Sequence, residues 1–329
     1  KVMIHSNGMK DACDYLVADR DEEFRNAWFS SEKYTPAGIV SGISLYDSLK
    51  NKKQPDCLPL PWTALQDLTY GLRRGEMWTI TAGSGMGKTQ VLRELAYHIQ
   101  HNSEDNIGMM FFEEPLDDSA RGMLSLGANK PLHLPTTEIS GEEFDEAFKN
   151  TLGSDRYHFF ESFGSTNIDA VISAIRYLAL GCDCKYIFLD HISILVSDQS
   201  QGDERKALDE IATKLKTLTI ELNIWLGMVS HSKRPSGKSH EEGGQTSLSE
   251  LRGTAGIGQL SNMVLGLERD GQNPDPTIRN TTLIRVLKNR FSGLTGPSTY
   301  LHYDRDTSRL TETFPDDIEE VVEEFEELR

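Results

Sequence analysis

The sequence predicts an α/β domain built on a mostly parallel sheet, and three observations carry that expectation. Compact apolar runs of strand length alternate with segments whose apolar residues recur at three- and four-residue spacing. A glycine-rich phosphate-binding signature, Ala82 to Thr89, falls between the first such run and the first such helix. Two further runs end in carboxylates, Glu113-Glu114 and Asp190, where an open parallel sheet gathers its ligands. The chain of 329 residues has length for one large domain or two modest ones.

Taken in order, residues 1–37 are polar, with two short helical patterns near Met9–Val17 and Glu22–Phe29 that end at Thr35-Pro36. Residues 38–56 read as a linker with one short amphipathic helix. Its apolar side, Ile43, Leu45, Tyr46 and Leu49, is too small to stand alone and must dock on something. The α/β pattern then occupies 57–313. Met77–Thr81, Ile107–Phe112, Tyr186–Leu189 and Ile224–Val229 read as buried parallel strands. The helices between them carry Leu92, Leu95, Ala96 and Ile99, then Ile168 to Leu178, then Leu208 to Leu222. Met263–Leu267, Leu283–Leu287 and Thr299–Tyr303 are expected to extend the sheet as hairpins.

Composition sets limits on function. No run approaches the ~18 apolar residues a membrane span needs, and the start lacks a secretory pattern. The chain begins at Lys1 rather than Met, which suggests a segment of a longer protein. Cys13, Cys57, Cys182 and Cys184 lack the spacing of a zinc site and read as reduced thiols. The net charge of -17 argues against nucleic acid at first sight. Eight of the acids lie between Asp316 and Glu327, however, in a tail covering 314–329, which leaves room for a local basic lining elsewhere.

The chemistry begins at the phosphate loop. Gly83, Gly85 and Gly87 let the backbone of Gly83, Ser84, Gly85, Met86 and Gly87 curl so that its N–H groups face phosphate oxygens. Lys88 would neutralise the terminal phosphates, and Thr89 would ligate magnesium at the start of the helix. Asp190 would complete the magnesium shell. One of Glu113 and Glu114 would take the proton of the attacking water, since adjacent strand residues face opposite sides. His231, at a third strand end, could hydrogen-bond the terminal phosphate. The stretch after it, "SKRPSGKSHEEGGQTSLSELRGTAGIGQL", reads as loop and gathers Lys233, Arg234, Lys238, Arg252 and Gly253, suited to a phosphodiester backbone without base specificity. In "RVLKNRFSG", Lys288 and Arg290 share one face of a strand end and lack obvious local acids. An arginine finger offered to a neighbouring subunit's phosphate accounts for them.

The blocks "GSGMGKT", "FFEEP", "YIFLDHISILVSDQSQGDERKALDEIATKLK", "SHSKRPSGKSHEEGG", "ELRGTAGIGQLSN" and "RVLKNRFSGLTG", in this order, resemble the helicase half of the phage T-seven-type bifunctional primase–helicases. That group is similar to Twinkle and to the bacterial DnaB helicases. The resemblance implies a RecA-like core in a hexameric ring around single-stranded DNA, with nucleotide between subunits and residues 1–37 the end of a primase-type module. It implies Glu113 as base, His231 as phosphate sensor, and Arg290 as the finger in trans beside Lys288. Arg269 is implied as a nucleotide contact, Tyr303 as the platform for the base, and the 43–49 helix as the arm that docks on the next subunit. It further implies magnesium with ATP or dTTP as substrate and 5′ to 3′ translocation in the cytoplasm of a phage-infected bacterium. The acidic tail, with Ile318, Val321, Val322 and Phe325 on one helical face, is expected to dock a replicative polymerase. Gly258 stands where that family type has a loop arginine, and the first DNA loop is one residue shorter. The alternative is a RecA-like filament-forming or ring ATPase that does not unwind DNA.

Overall fold

The computed structural model describes residues 3–5, 8–31, 36, 38–52, 56–161, 167–196, 204–232, 238–240, 242–251 and 255–314. Contacts divide the chain into two units, Lys1–Gln54 and Pro55–Arg329. In the first, Asp11 caps the helix Ala12–Val17 by accepting from the amides of Cys13 and Asp14. Tyr15 is buried there against Phe24 of the helix Asp21–Phe29, with ring centroids 5.5 Å apart. The linker forms a 3₁₀ turn, Gly42–Leu45, running into a short helix, Tyr46–Lys50. Ile43, Tyr46 and Leu49 are exposed on it, as an unpartnered apolar stripe requires.

The second unit opens with a small antiparallel pair, β1 (Cys57–Leu58) and β2 (Leu72–Arg73). The other strands are β3 (Met77–Ala82), β4 (Asn106–Phe111), β5 (Tyr157–Phe159), β6 (Cys184–Asp190), β7 (Trp225–His231), β8 (Met263–Glu268), β9 (Thr281–Asn289), β10 (Gly296–Tyr303) and β11 (Leu310–Thr313). They form one nine-stranded sheet in the order β11-β10-β9-β8-β3-β7-β6-β4-β5. From β8 through to β5 neighbouring strands run parallel, and β9, β10 and β11 add an antiparallel edge.

Burial on both faces explains the near-continuous apolar strands. One face packs under the helix Lys88–Asn102, with Val91, Leu92, Leu95 and Ile99 against Trp78, Ile80 and Val229. The other packs under the helices Ile168–Leu180 and Glu204–Glu221, through Val171, Ile175, Leu208, Leu215 and Leu218. Each such aliphatic side chain contributes about 1.5–3 kcal/mol by leaving water. Trp78 and Trp225 meet edge to face, 5.8 Å between centroids, and fill the centre of the first layer.

The hairpin expectation holds at this edge of the sheet, where β8 pairs with β9 and β9 with β10, both antiparallel. On its other side β8 lies directly beside β3 and parallel to it, a pairing the sequence did not announce. The stretch after His231 is not loop throughout, since Leu248–Glu250 forms a 3₁₀ turn and Ala255–Leu260 a helix whose Ile257 is buried. The edge strand β5 carried no signal of its own, being three residues long.

Candidate active site

The phosphate loop leaves β3 at Ala82 and turns into the helix beginning at Lys88. Gly87, the residue before that helix, has φ +84°, a left-handed conformation open to glycine at little cost. Gly83 is glycine for a different reason: a Cβ there would stand 2.8 Å from Cβ of His240. The buried His240 thus presses the loop that follows β7 onto the phosphate loop.

Lys88 is buried, and its ammonium donates to the carbonyls of Gly83 (2.7 Å) and Ala82 (3.4 Å). Burial pushes its pKa down, opposed by the charges of Asp190 and Glu113. Thr89 donates its hydroxyl to Asp190 Oδ2 at 2.5 Å, which ties the new helix to the end of β6. Desolvation raises the Asp190 carboxyl to about 6 despite that bond. Its other oxygen, Oδ1, is buried without a hydrogen-bond partner. An all-oxygen pair with an unsatisfied carboxylate oxygen fits a hard divalent cation such as magnesium.

Glu113 follows β4 and is half exposed; its Oε1 lies 3.2 Å from His191 Nδ1 and 3.6 Å from His231 Nε2. The two imidazoles stand edge to face, 4.2 Å between centroids. Glu114 points elsewhere, to an ion pair with Arg93, and accepts from Ser119. The two adjacent carboxylates, in the bend just past the end of β4, thus face different partners. His191 was missed by the sequence reading, although its position directly after the strand-end Asp190 was a usable signal.

Arg269 donates to the carbonyl of Gly85, and burial lowers its pKa. With Tyr303, Met86 and Gly87 it lines a cavity of about 370 Å³ that also takes in Arg93, Arg121 and His133. The phosphate-loop glycines, Lys88, Thr89, Glu113, Asp190, His231, Arg269 and Tyr303 thus gather at one end of the sheet.

Lys288 and Arg290 do not join them. β9 runs against β8, so Lys288 lies level with Val264 and Asn289 with Met263. Met263 in turn lies level with Trp78, near the start of β3. Arg290 donates its backbone N–H to Asn262, whose own N–H bonds Met77. Between Met77 and Ala82 the strand rises about 17 Å, so the pair sits at the far end of the sheet from its own phosphate loop. Both cations rest on carbonyls ending the helix Ala255–Leu260. Lys288 reaches Gly258 (2.6 Å) and Gln259 (2.8 Å), and Arg290 reaches Gln259. Burial, with repulsion from Arg290 and Lys216, pushes the Lys288 ammonium down to about 8.

Of the basic loop residues, Lys238 is exposed, beside a turn that needs glycine at 244. Lys233, Arg234, Arg252 and Gly253 lie outside the described residues, as does the acidic tail from Pro315 onward. No helix among the described residues is long and apolar enough to cross a membrane.

The geometry has counterparts in known proteins. The chain is 34% identical over 320 residues to the DNA helicase/primase of Enterobacteria phage T3, covering 94% of this chain and 56% of that protein. It is 22% identical to the chloroplastic/mitochondrial Twinkle homolog of Arabidopsis thaliana, covering 92% and 44%. The chain spans about half the length of these relatives. Among solved structures it is similar to a DnaB-like replicative helicase described with its interactions with primase. The TM-score there is 0.67 at 16% identity, covering 91% of this chain and 73% of that one. The RecA-like α/β core expected from the sequence is thereby established as its fold. Residues 58–312 match the DnaB-like helicase C terminal domain, and the chain belongs to that family.

Proposed function

We propose that this chain is the motor part of a ring-shaped replicative DNA helicase that hydrolyses nucleoside triphosphate at the seams between subunits. The observation supporting this most directly is the distance of Lys288 and Arg290 from their own phosphate loop. Cations about 17 Å away along the sheet serve no phosphate of their own chain, whereas a copy packed edge to edge offers one.

In this reading the N–H groups of the phosphate loop and the start of the Lys88–Asn102 helix hold the phosphates, and Lys88 leaves the Gly83 carbonyl for the terminal one. Thr89 and Asp190 would hold magnesium, which would supply charge neutralisation for the terminal phosphates. Glu113 orients the attacking water and accepts its proton, and His231 senses the terminal phosphate through the same carboxylate. Arg269 and Tyr303 receive the sugar and base of ATP or dTTP. Arg290 enters from the next subunit, with Lys288 beside it, so that turnover depends on assembly.

Lys233, Arg234, Lys238, Arg252 and Gly253 would grip single-stranded DNA in the channel. His240, wedged on Gly83, would couple that grip to the phosphates. We assign residues 1–37 to the end of a primase-type module, 38–56 to the arm docking on the next copy, 57–313 to the motor and 314–329 to polymerase docking. A hexamer moving 5′ to 3′ in the cytoplasm of an infected bacterium is the complete form of the proposal.

The test is complementation in trans. Glu113→Gln and Arg290→Ala proteins should each be inactive alone and should regain DNA-stimulated hydrolysis when co-assembled, since some seams then hold both intact residues. A mixture as dead as its parents, or an isolated subunit at full rate, would remove the seam. Forked substrates with a single 5′ or 3′ tail decide polarity, and failure to displace any strand would favour an ATPase that does not unwind.

A further inference from the structure

Glu113, His191 and His231 come from the ends of three neighbouring strands, and their ligand atoms all lie within 4.8 Å of one another. Around a four-coordinate ion with bonds of ~2.0–2.1 Å, adjacent donors stand ~3.3 Å apart by tetrahedral geometry. The two separations from Glu113, 3.2 Å and 3.6 Å, fall on either side of that value. His191 is buried, which fixes one ligand, while the half-exposed Glu113 gives an ion a way in. Two imidazoles and one carboxylate form a nitrogen-rich set suited to zinc, cobalt or nickel. Magnesium prefers the neighbouring oxygens of Thr89 and Asp190, so ligand type keeps the two sites distinct.

We propose that Glu113, His191 and His231 bind a borderline-soft divalent cation of the zinc class, and that its binding arrests hydrolysis. A carboxylate that donates its lone pair to a metal no longer accepts a proton from water. The arrest therefore rests on the reading of Glu113 as the base; the binding does not. The ion would act as a brake set by free zinc at the step where all subunits share the same chemistry.

Cobalt(II) is the probe for the site, titrated into the full nucleotide-free chain. The expected result is the visible absorption of four-coordinate cobalt, discharged by zinc and lost in both His191→Gln and His231→Gln. Circular dichroism of each variant checks that it is folded. An intense near-ultraviolet sulfur–cobalt band would assign the metal to exposed thiols such as Cys13 and Cys57 and overturn the site, as would a visible band surviving in both variants.

The second arm adds zinc to DNA-stimulated hydrolysis under excess magnesium. Inhibition is expected, with the half-inhibitory concentration raised at least about tenfold in His191→Gln relative to that variant's own uninhibited rate. Turnover indifferent to zinc at concentrations that discharge cobalt would overturn the brake. If the untreated protein hydrolyses nothing, the motor reading fails, and the cobalt titration alone still decides the site.

Discussion

The hydroxyl of Thr89 donates to Asp190 Oδ2 across 2.5 Å, joining the helix behind the phosphate loop to a strand end 101 residues later. Asp190 titrates near 6 rather than 3.8 because it is buried. Between these values the unfolded chain gives up its proton first, so this carboxyl lowers stability as pH rises through that window. Asp190→Asn is therefore expected to stabilise the nucleotide-free protein at pH 7, by up to roughly 3 kcal/mol, with little difference below pH 4. Urea unfolding at the two pH values checks this. The same variant should lose magnesium-dependent turnover.

Glu113 and Glu114 should separate cleanly. Glu113→Gln is expected to slow hydrolysis by about 10²–10⁴-fold while nucleotide binding persists. Glu114→Gln weakens the ion pair with Arg93 beside the cavity and should act on affinity instead. Single-turnover hydrolysis beside equilibrium binding of a fluorescent nucleotide distinguishes them.

Arg290→Ala should cost about a thousandfold in turnover by the assembled protein and leave nucleotide affinity of the isolated subunit unchanged. The second half of that outcome follows from its place at the far end of the sheet. Steady-state hydrolysis by the assembly, set beside nucleotide titration of dilute subunits, measures both.

Lys288 carries a signature in pH. Its ammonium titrates near 8 in the fold against 10.5 when free, so the unfolded chain holds that proton more tightly. Stability contributed here is lowest below pH 8 and rises as pH climbs toward 10.5. Lys288→Met should raise the melting temperature at pH 7, with a gain that shrinks through this window. A gain that is constant with pH would show that Lys288 is not desolvated.

Gly83→Ala places a methyl group 2.8 Å from Cβ of His240, so one of the two loops must shift. Single-stranded DNA affinity and DNA stimulation are expected to fall together, and His240→Gly in the same chain should restore part of both. Titration of fluorescent oligonucleotide with and without nucleotide measures the coupling.

The gathering of Lys88, Thr89, Glu113 and Asp190 at one end of the sheet was legible because each opens a helix or lies at a strand end. The buried runs likewise announced β3, β4, β6 and β7, since a strand covered on both faces must be apolar throughout. His240 was not legible because nothing local distinguishes an imidazole that meets a distant glycine from a surface histidine, whereas for His191 the one local signal was its place directly after Asp190. The parallel pairing of β8 with β3 was not legible, because a short apolar run gives no hint of the second neighbour it will choose.

The α/β alternation, the phosphate loop and the carboxylates at strand ends are written in the local order of residues, because they follow from backbone period and glycine conformation over short stretches. Folding in three dimensions was needed to lay β8 against β3 and carry Lys288 and Arg290 to the opposite end of the sheet from Lys88. The same folding brought Glu113, His191 and His231 to one point. Strand order is fixed by burial summed over the whole sheet, and no local window of residues contains that sum.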